Sequence, residues 1–170
     1  MTMHARSLLA PLFALAAGLL VNATVQAHPP ASGPDLDRSA IEKTVLETNA
    51  RMTEAANRLD ADAFFAYILE TDKGLIIQNG VLFKSRQEAL ESVKRGFQGM
   101  AKIDRRFENP QVTVISPDLA LLVSEGSTTA TLTDGRILNR RFAVSLVFLR
   151  KDGQWKLLHG HYSMPVNQGQ

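Results

Sequence analysis

Residues 103–115, 119–132, 137–149 and 154–163 are four runs rich in Val, Ile, Leu, Phe and Thr, and they constrain the fold more than any other feature. Only Ser116-Pro117-Asp118, Thr133-Asp134-Gly135-Arg136 and, after Arg150, Lys151-Asp152-Gly153 separate them. Parallel pairing needs a crossover of a dozen or more residues, so connections this short force an antiparallel meander. The last hairpin is the clearest piece. Its second run holds the only Trp, one of two Tyr and two of four His. Alternation along this run puts Trp155, Leu157, His159, His161 and Ser163 on one face and Leu158, Gly160 and Tyr162 on the other. A two-residue Asp152-Gly153 turn would pair Arg150 with Trp155. A three-residue turn that includes Lys151 would pair Arg150 with Gln154.

Upstream the period changes from two to 3.6. Ser39-Ala40-Ile41-Glu42 has capping-box spacing, and Ile41, Val45, Thr48, Met52, Ala56 and Leu59 continue as one apolar stripe, which predicts a helix to about residue 59. Asp60 caps a second helix over 61–69, with Phe64, Tyr67 and Ile68 on one face, forming an αα-hairpin with the first. Asn79-Gly80 between two short apolar runs is the signature of a two-residue hairpin. Ser85-Arg86-Gln87-Glu88 opens a third helix with Ala89, Leu90, Val93, Phe97 and Met100 on its apolar face. Helices first and strands afterwards indicate α+β. The expectation is a cone-like curved antiparallel sheet wrapped around three N-terminal helices, with a pocket on its concave face.

One domain accounts for residues 39–165. Residues 7–21 are an apolar run after Arg6, and 22–27 end in a small residue, so 1–27 read as a secretory signal cleaved after Ala27. Residues 28–38 hold three Pro and a Gly and read as a flexible leader. The mature protein is expected to be exported, periplasmic or secreted, with no membrane contact after cleavage. The chain has no cysteine, which excludes disulfides, thiol nucleophiles and thiolate metal sites. Removing Arg6 from the 19 basic residues leaves 18 against 17 acidic. That near balance gives no reason to expect a nucleic-acid partner.

The element order, with LDADAFFAYI, the QNG hairpin before a capped helix, and DGQWKLLHGHYS at the end, resembles the nuclear transport factor 2-like superfamily over residues 39–164. The likeness is strongest to its SnoaL-like branch and to the association domain of calcium/calmodulin-dependent protein kinase II. That domain's closing run is matched here by Asp152, Gly153, Trp155, His159, His161 and Ser163. The resemblance implies the three-residue turn, with Arg140, Phe142, Val144, Leu146, Leu158 and Tyr162 on the concave side. Where the association domain places ligand-contacting arginines, this chain has Leu146 and Tyr162, so the concave face is expected to be mostly apolar. His159 and His161 then fall on the convex face, where the superfamily often dimerises.

The residues expected to line a pocket are Phe64, Tyr67, Arg140, Phe142, Leu146, Leu158 and Tyr162, with His159 and His161 at a homodimer interface. No Ser-His-Asp set, phosphate loop or close carboxylate pair appears, and catalytic residues are not assigned. Asp62 and Asp72 are proton-transfer candidates by neighbourhood only. Two His at i and i+2 lack the third protein ligand of a catalytic zinc site, so neither metal nor cofactor is expected. The expected role is to bind a small apolar or amphipathic molecule. A cofactor-free lyase or isomerase and a non-catalytic self-associating domain are the alternatives.

Overall fold

The computed structural model describes residues 37–71, 73 and 75–165. The expected signal, nearly all of the expected leader, and Asp72 lie outside the described residues.

Helix α1 spans Arg38–Asn57. Its cap is Asp37, whose carboxylate accepts from the Ala40 N–H at 3.0 Å, so the helix begins one residue before the Ser39 box expected to start it. Val45, Thr48, Asn49, Met52, Ala55 and Ala56 form its buried stripe. Asp60 caps α2 as expected, accepting from the Ala63 N–H at 2.9 Å, but α2 covers only Ala61–Phe65. The chain leaves the helix there because its backbone finds another partner. The Leu157 N–H donates to Tyr67 O at 2.8 Å and the Leu69 N–H to Leu157 O at 2.9 Å.

Strands β1 (Ile76–Gln78) and β2 (Val81–Phe83) flank the Asn79-Gly80 turn. Both turn residues have positive φ, 53° and 75°, as a two-residue turn of this type demands. Helix α3 (Arg86–Gln98) is capped by Ser85, whose hydroxyl accepts from the Glu88 N–H at 3.1 Å. Arg86 ties α3 to α2 by donating to Phe65 O at 2.7 Å while its guanidinium lies 5.6 Å from the Phe65 ring centre. Four long strands follow: β3 (Met100–Ser116), β4 (Leu119–Leu132), β5 (Ile137–Lys151) and β6 (Gln154–Ser163).

The sheet order is β2-β1-β6-β5-β4-β3. The four long strands form the expected antiparallel meander, and β1 joins the sheet parallel to β6. The sheet is therefore mixed, curved and unclosed, with the helices against its concave face. Two of its four register shifts bear on the site. On edge strand β3, pairing slips between Glu108 and Gln111, where Asn109 has φ 49° and Pro110 has no N–H to give, as befits a bulge on an edge. Ser124 sits opposite and donates to Glu108 O at 2.9 Å.

The second irregularity is on β6. Lys151 pairs with Gln154, so the turn is the two-residue Asp152-Gly153 form, with φ 51° and 75°, and the three-residue turn is overturned. With regular alternation this register would put His159 and His161 inside. Instead Phe148 pairs with Leu157 and Val147 with His159, leaving Leu158 as an extra residue that shifts the alternation by one. Trp155 and Leu157 are buried before the bulge, and Gly160 and Tyr162 after it.

The core joins the α1 stripe, Phe64 and Phe65 to the inward residues of the sheet, among them Leu122, Phe142, Leu146, Phe148 and Leu157. Across β3, β4 and β5, Phe107 pairs with Gly126 and Gly126 with Phe142. The two rings meet edge to face at 5.5 Å above the glycine.

Candidate functional site

Helix α1 is fastened along edge strand β3 at both ends. Near its start Arg38 donates to Val114 O at 2.8 Å. At its end the Asn57 carboxamide pairs with the strand backbone like a peptide unit, donating to Arg105 O at 3.1 Å and accepting from the Arg105 N–H at 2.8 Å. Space remains between the C-terminal end of α1, α3, the start of β3 and the β1–β2 hairpin.

The space has two connected parts. An inner cavity of about 300 Å³ is bordered by Ala56, Phe64, Ile76, Phe83, Val93 and Phe97, with Ser92, Gln78, Arg105 and Tyr162 supplying polar atoms. An outer basin of about 760 Å³ adds Thr128, Leu138, Arg140, Ser163 and Met164. Gln78, Asn79, Met100, Ile103, Arg105 and Tyr162 border both. An apolar concavity of this size with a few convergent polar groups has the form of a small-molecule site.

Arg105 stands where the two parts meet. Its guanidinium carbon lies 5.7 Å from the Tyr162 ring centre, within cation–π range. Its Nε is buried and has no hydrogen-bond partner among the described residues. Tyr162 is 8% exposed. Burial pushes its phenol above the ordinary tyrosine value, and the nearby Arg105 charge opposes that rise. No Asp or Glu borders the inner cavity or the outer basin among the described residues, and His161 touches only the basin.

The expected pocket residues separate into groups. Phe64 and Tyr162 line the inner cavity, and Arg140 and Tyr162 the outer basin. Phe142 and Leu146 lie on the concave side as expected, but at 4% and 0% exposure they are core beneath the site. Tyr67 is half-buried against that core and borders neither space. Leu158, expected on the concave side, is the unpaired bulge residue and lines neither space. The concave face carries Arg105 in addition to the expected Arg140, among mainly apolar lining residues. Asp62 is removed from the site, since it pairs with Lys94 at 2.7 Å on the surface joining α2 to α3.

His159 and His161 pair with Val147 and Ser145 on the face opposite Tyr162, and His161 also reaches the rim of the outer basin. The convex face there forms an open groove of about 640 Å³ lined by Glu108, Gln111, Val123, Glu125, Ser145 and His161. Among the described residues no cluster of three side chains could hold a metal ion.

Solved structures with this architecture are numerous. A nuclear transport factor 2-like superfamily protein from Salmonella enterica serovar Typhimurium LT2 superposes with a TM-score of 0.70 at 17% identity, covering 77% of this chain and 95% of its own. A candidate dehydratase of the same family from Streptomyces avermitilis gives 0.65 at 19% identity, covering 73% and 95%. A hexachlorocyclohexane dehydrochlorinase gives 0.66 at 15%, covering 78% and 90%. Identities this low establish the fold alone. No protein of curated function matches the sequence. At the family level the match is direct, because the SnoaL-like domain family aligns with residues 45–167, a span running from the middle of α1 past the end of β6. The chain belongs to the SnoaL-like domain family, within the nuclear transport factor 2-like fold.

Proposed function

We propose that this protein binds a small amphipathic molecule in the concave cavity and does not itself catalyse a proton transfer there. The observation that supports this reading is the lining. The inner cavity is walled by Phe64, Phe83, Val93 and Phe97, while the carboxylate or imidazole that would abstract a proton is missing from it among the described residues. Some structural relatives are named as a dehydrochlorinase or a candidate dehydratase, and a lyase or isomerase remains the competing activity for this chain. Tyr162, protonated and beside Arg105, supplies a hydrogen-bond donor and an electrostatic contact, which suits holding a ligand.

A thermal-shift series with aromatic and alicyclic compounds tests the reading. Binding should raise the melting temperature of the native chain, and Val93→Trp, which fills the inner cavity, should abolish the rise while retaining the fold. A rise undiminished by Val93→Trp would place binding elsewhere.

The convex face supports a second property, self-association as a homodimer. Leu121 pairs with Val147 and Val147 with His159, while Val123 pairs with Ser145 and Ser145 with His161. These six side chains form a row without a carboxylate or an arginine, beside Glu108 and Glu125 of the convex groove, in which Val123 is 38% exposed. The signal-like composition of residues 1–27 supports export of the domain. Light scattering on the exported chain reads both mass and assembly.

A further inference from the structure

We infer that the ligand is an amphipathic organic acid, its anionic group held by Arg105 and Arg140 and its apolar body in the inner cavity. This rests on the binding role proposed above and narrows it to one class of ligand.

The two arginines belong to one cross-strand row. Arg105 on β3 pairs with Thr128 on β4, and Thr128 pairs with Arg140 on β5. All three border the outer basin. Neighbouring strands lie roughly 4.8 Å apart, so the two arginine backbones stand about 10 Å apart. Two side chains of that length close such a gap onto one anion, with the Thr128 hydroxyl between them. Among the described residues neither guanidinium forms an ion pair, although Arg106 and Arg141 on the opposite face are both paired with carboxylates. The contrast is informative because the same strands supply both faces. The convex arginines are neutralised by Asp104, Glu108 and Glu125, and the concave ones face a basin with no carboxylate among the described residues.

Arg105 is the more telling of the two. Its strand is fixed by Asn57 and its guanidinium rests near the Tyr162 ring, while its Nε is buried without an acceptor. A buried donor left unmade is costly, and a wholly apolar ligand sealing the cavity would leave it so, while a neutral oxygen would accept from it without balancing the charge. A cationic ligand would meet two uncompensated positive charges. A carboxylate accepts from the planar fork in the geometry guanidinium favours. Beyond Arg105 the surface turns apolar toward Phe64 and Phe97, so the recognised molecule is charged at one end and apolar at the other.

The test is calorimetric titration of the purified chain with three compounds sharing one tail: 3-phenylpropionate, 3-phenylpropanol and 3-phenylpropylamine. The acid should bind at least about tenfold tighter than the alcohol, as one charge-assisted hydrogen bond implies, and the amine should not bind. Acid affinity should fall as sodium chloride rises while alcohol affinity stays constant. Arg105→Gln should bring the acid down to the level of the alcohol, and Arg105→Lys should recover only part of the loss. The salt series reads the charge without any substitution, so a poorly folded variant does not remove the test. Equal binding of acid and alcohol, or acid binding indifferent to salt, overturns the inference and leaves the binding role standing. Failure of all three compounds to bind removes the binding role together with the inference.

Discussion

Gly126 illustrates how a single residue position is fixed by its neighbours. A Cβ there would overlap the Phe142 ring and the carbonyl oxygen of Arg106, one a packed aromatic and the other strand backbone, so neither yields easily. Gly126→Ala should therefore destabilise the fold by about 1–3 kcal/mol, the usual range for overpacking, read from the midpoint of urea unfolding. Tyr162 makes a prediction in pH. Its folded pKa lies above the ordinary value, so stability associated with the protonated phenol is fully present below about pH 10. It is lost as pH rises from there through the folded value. Phenolate absorbance should show a step displaced to higher pH in the native chain, and Tyr162→Phe should remove that step and lessen the alkaline loss of stability. Arg105 was not among the residues singled out from the sequence, yet a signal for it existed. Ile103, Arg105 and Phe107 share one face of a strand, an arginine between two apolar neighbours, and a charge on the buried side of an alternating run marks a polar site. The Asn109-Pro110 bulge obscured it by breaking the alternation just downstream.

At the scale of elements, two caps and one hairpin turn were legible because their chemistry is local, whereas α1 is capped by Asp37 rather than Ser39. Asp60, Ser85 and Asn79-Gly80 each act within four residues of themselves. The length of α2 and the phase of β6 were not, because both depend on a partner distant in sequence. Helix α2 stops where residues 67–69 reach Leu157, and β6 changes phase where Leu158 finds no partner on β5. The faces of Tyr162 and the histidines follow the resemblance, but through a two-residue turn and a bulge in place of a three-residue turn. The bulge can be tested directly. Deleting Leu158 removes the unpaired residue and leaves regular alternation with Gly160 and Tyr162 still inward and His159 and His161 still outward. The deletion variant should therefore unfold near the native urea midpoint. A much lower midpoint, of the size expected if Tyr162 were exposed at roughly 1.5–3 kcal/mol, would show that the bulge does not set the phase of the strand. Asn57→Ala, which removes two hydrogen bonds from the β3 edge, should cost about 1–3 kcal/mol and weaken ligand binding by loosening Arg105.

For the whole molecule, the α+β class and the meander followed from a change of hydrophobic period and from three short connections. The parallel addition of β1 to β6 did not, since nothing local to residues 76–78 specifies the strand they join. Two faces of one sheet then differ, with a cavity on the helix side and an open groove on the other. Replacing His159 and His161 by Gln should weaken self-association in sedimentation experiments and leave ligand affinity nearly unchanged. On exported protein, intact mass should begin at His28. The most direct test of the cavity is amide NMR of the isotopically labelled chain during titration with 3-phenylpropionate. The shifts should saturate and cluster at Gln78, Asn79, Ser92, Gly96, Phe97 and Arg105. Shifts that fail to saturate, or that gather instead at Val123, Ser145 and His161 on the convex face, would contradict the assignment of the cavity as the binding site.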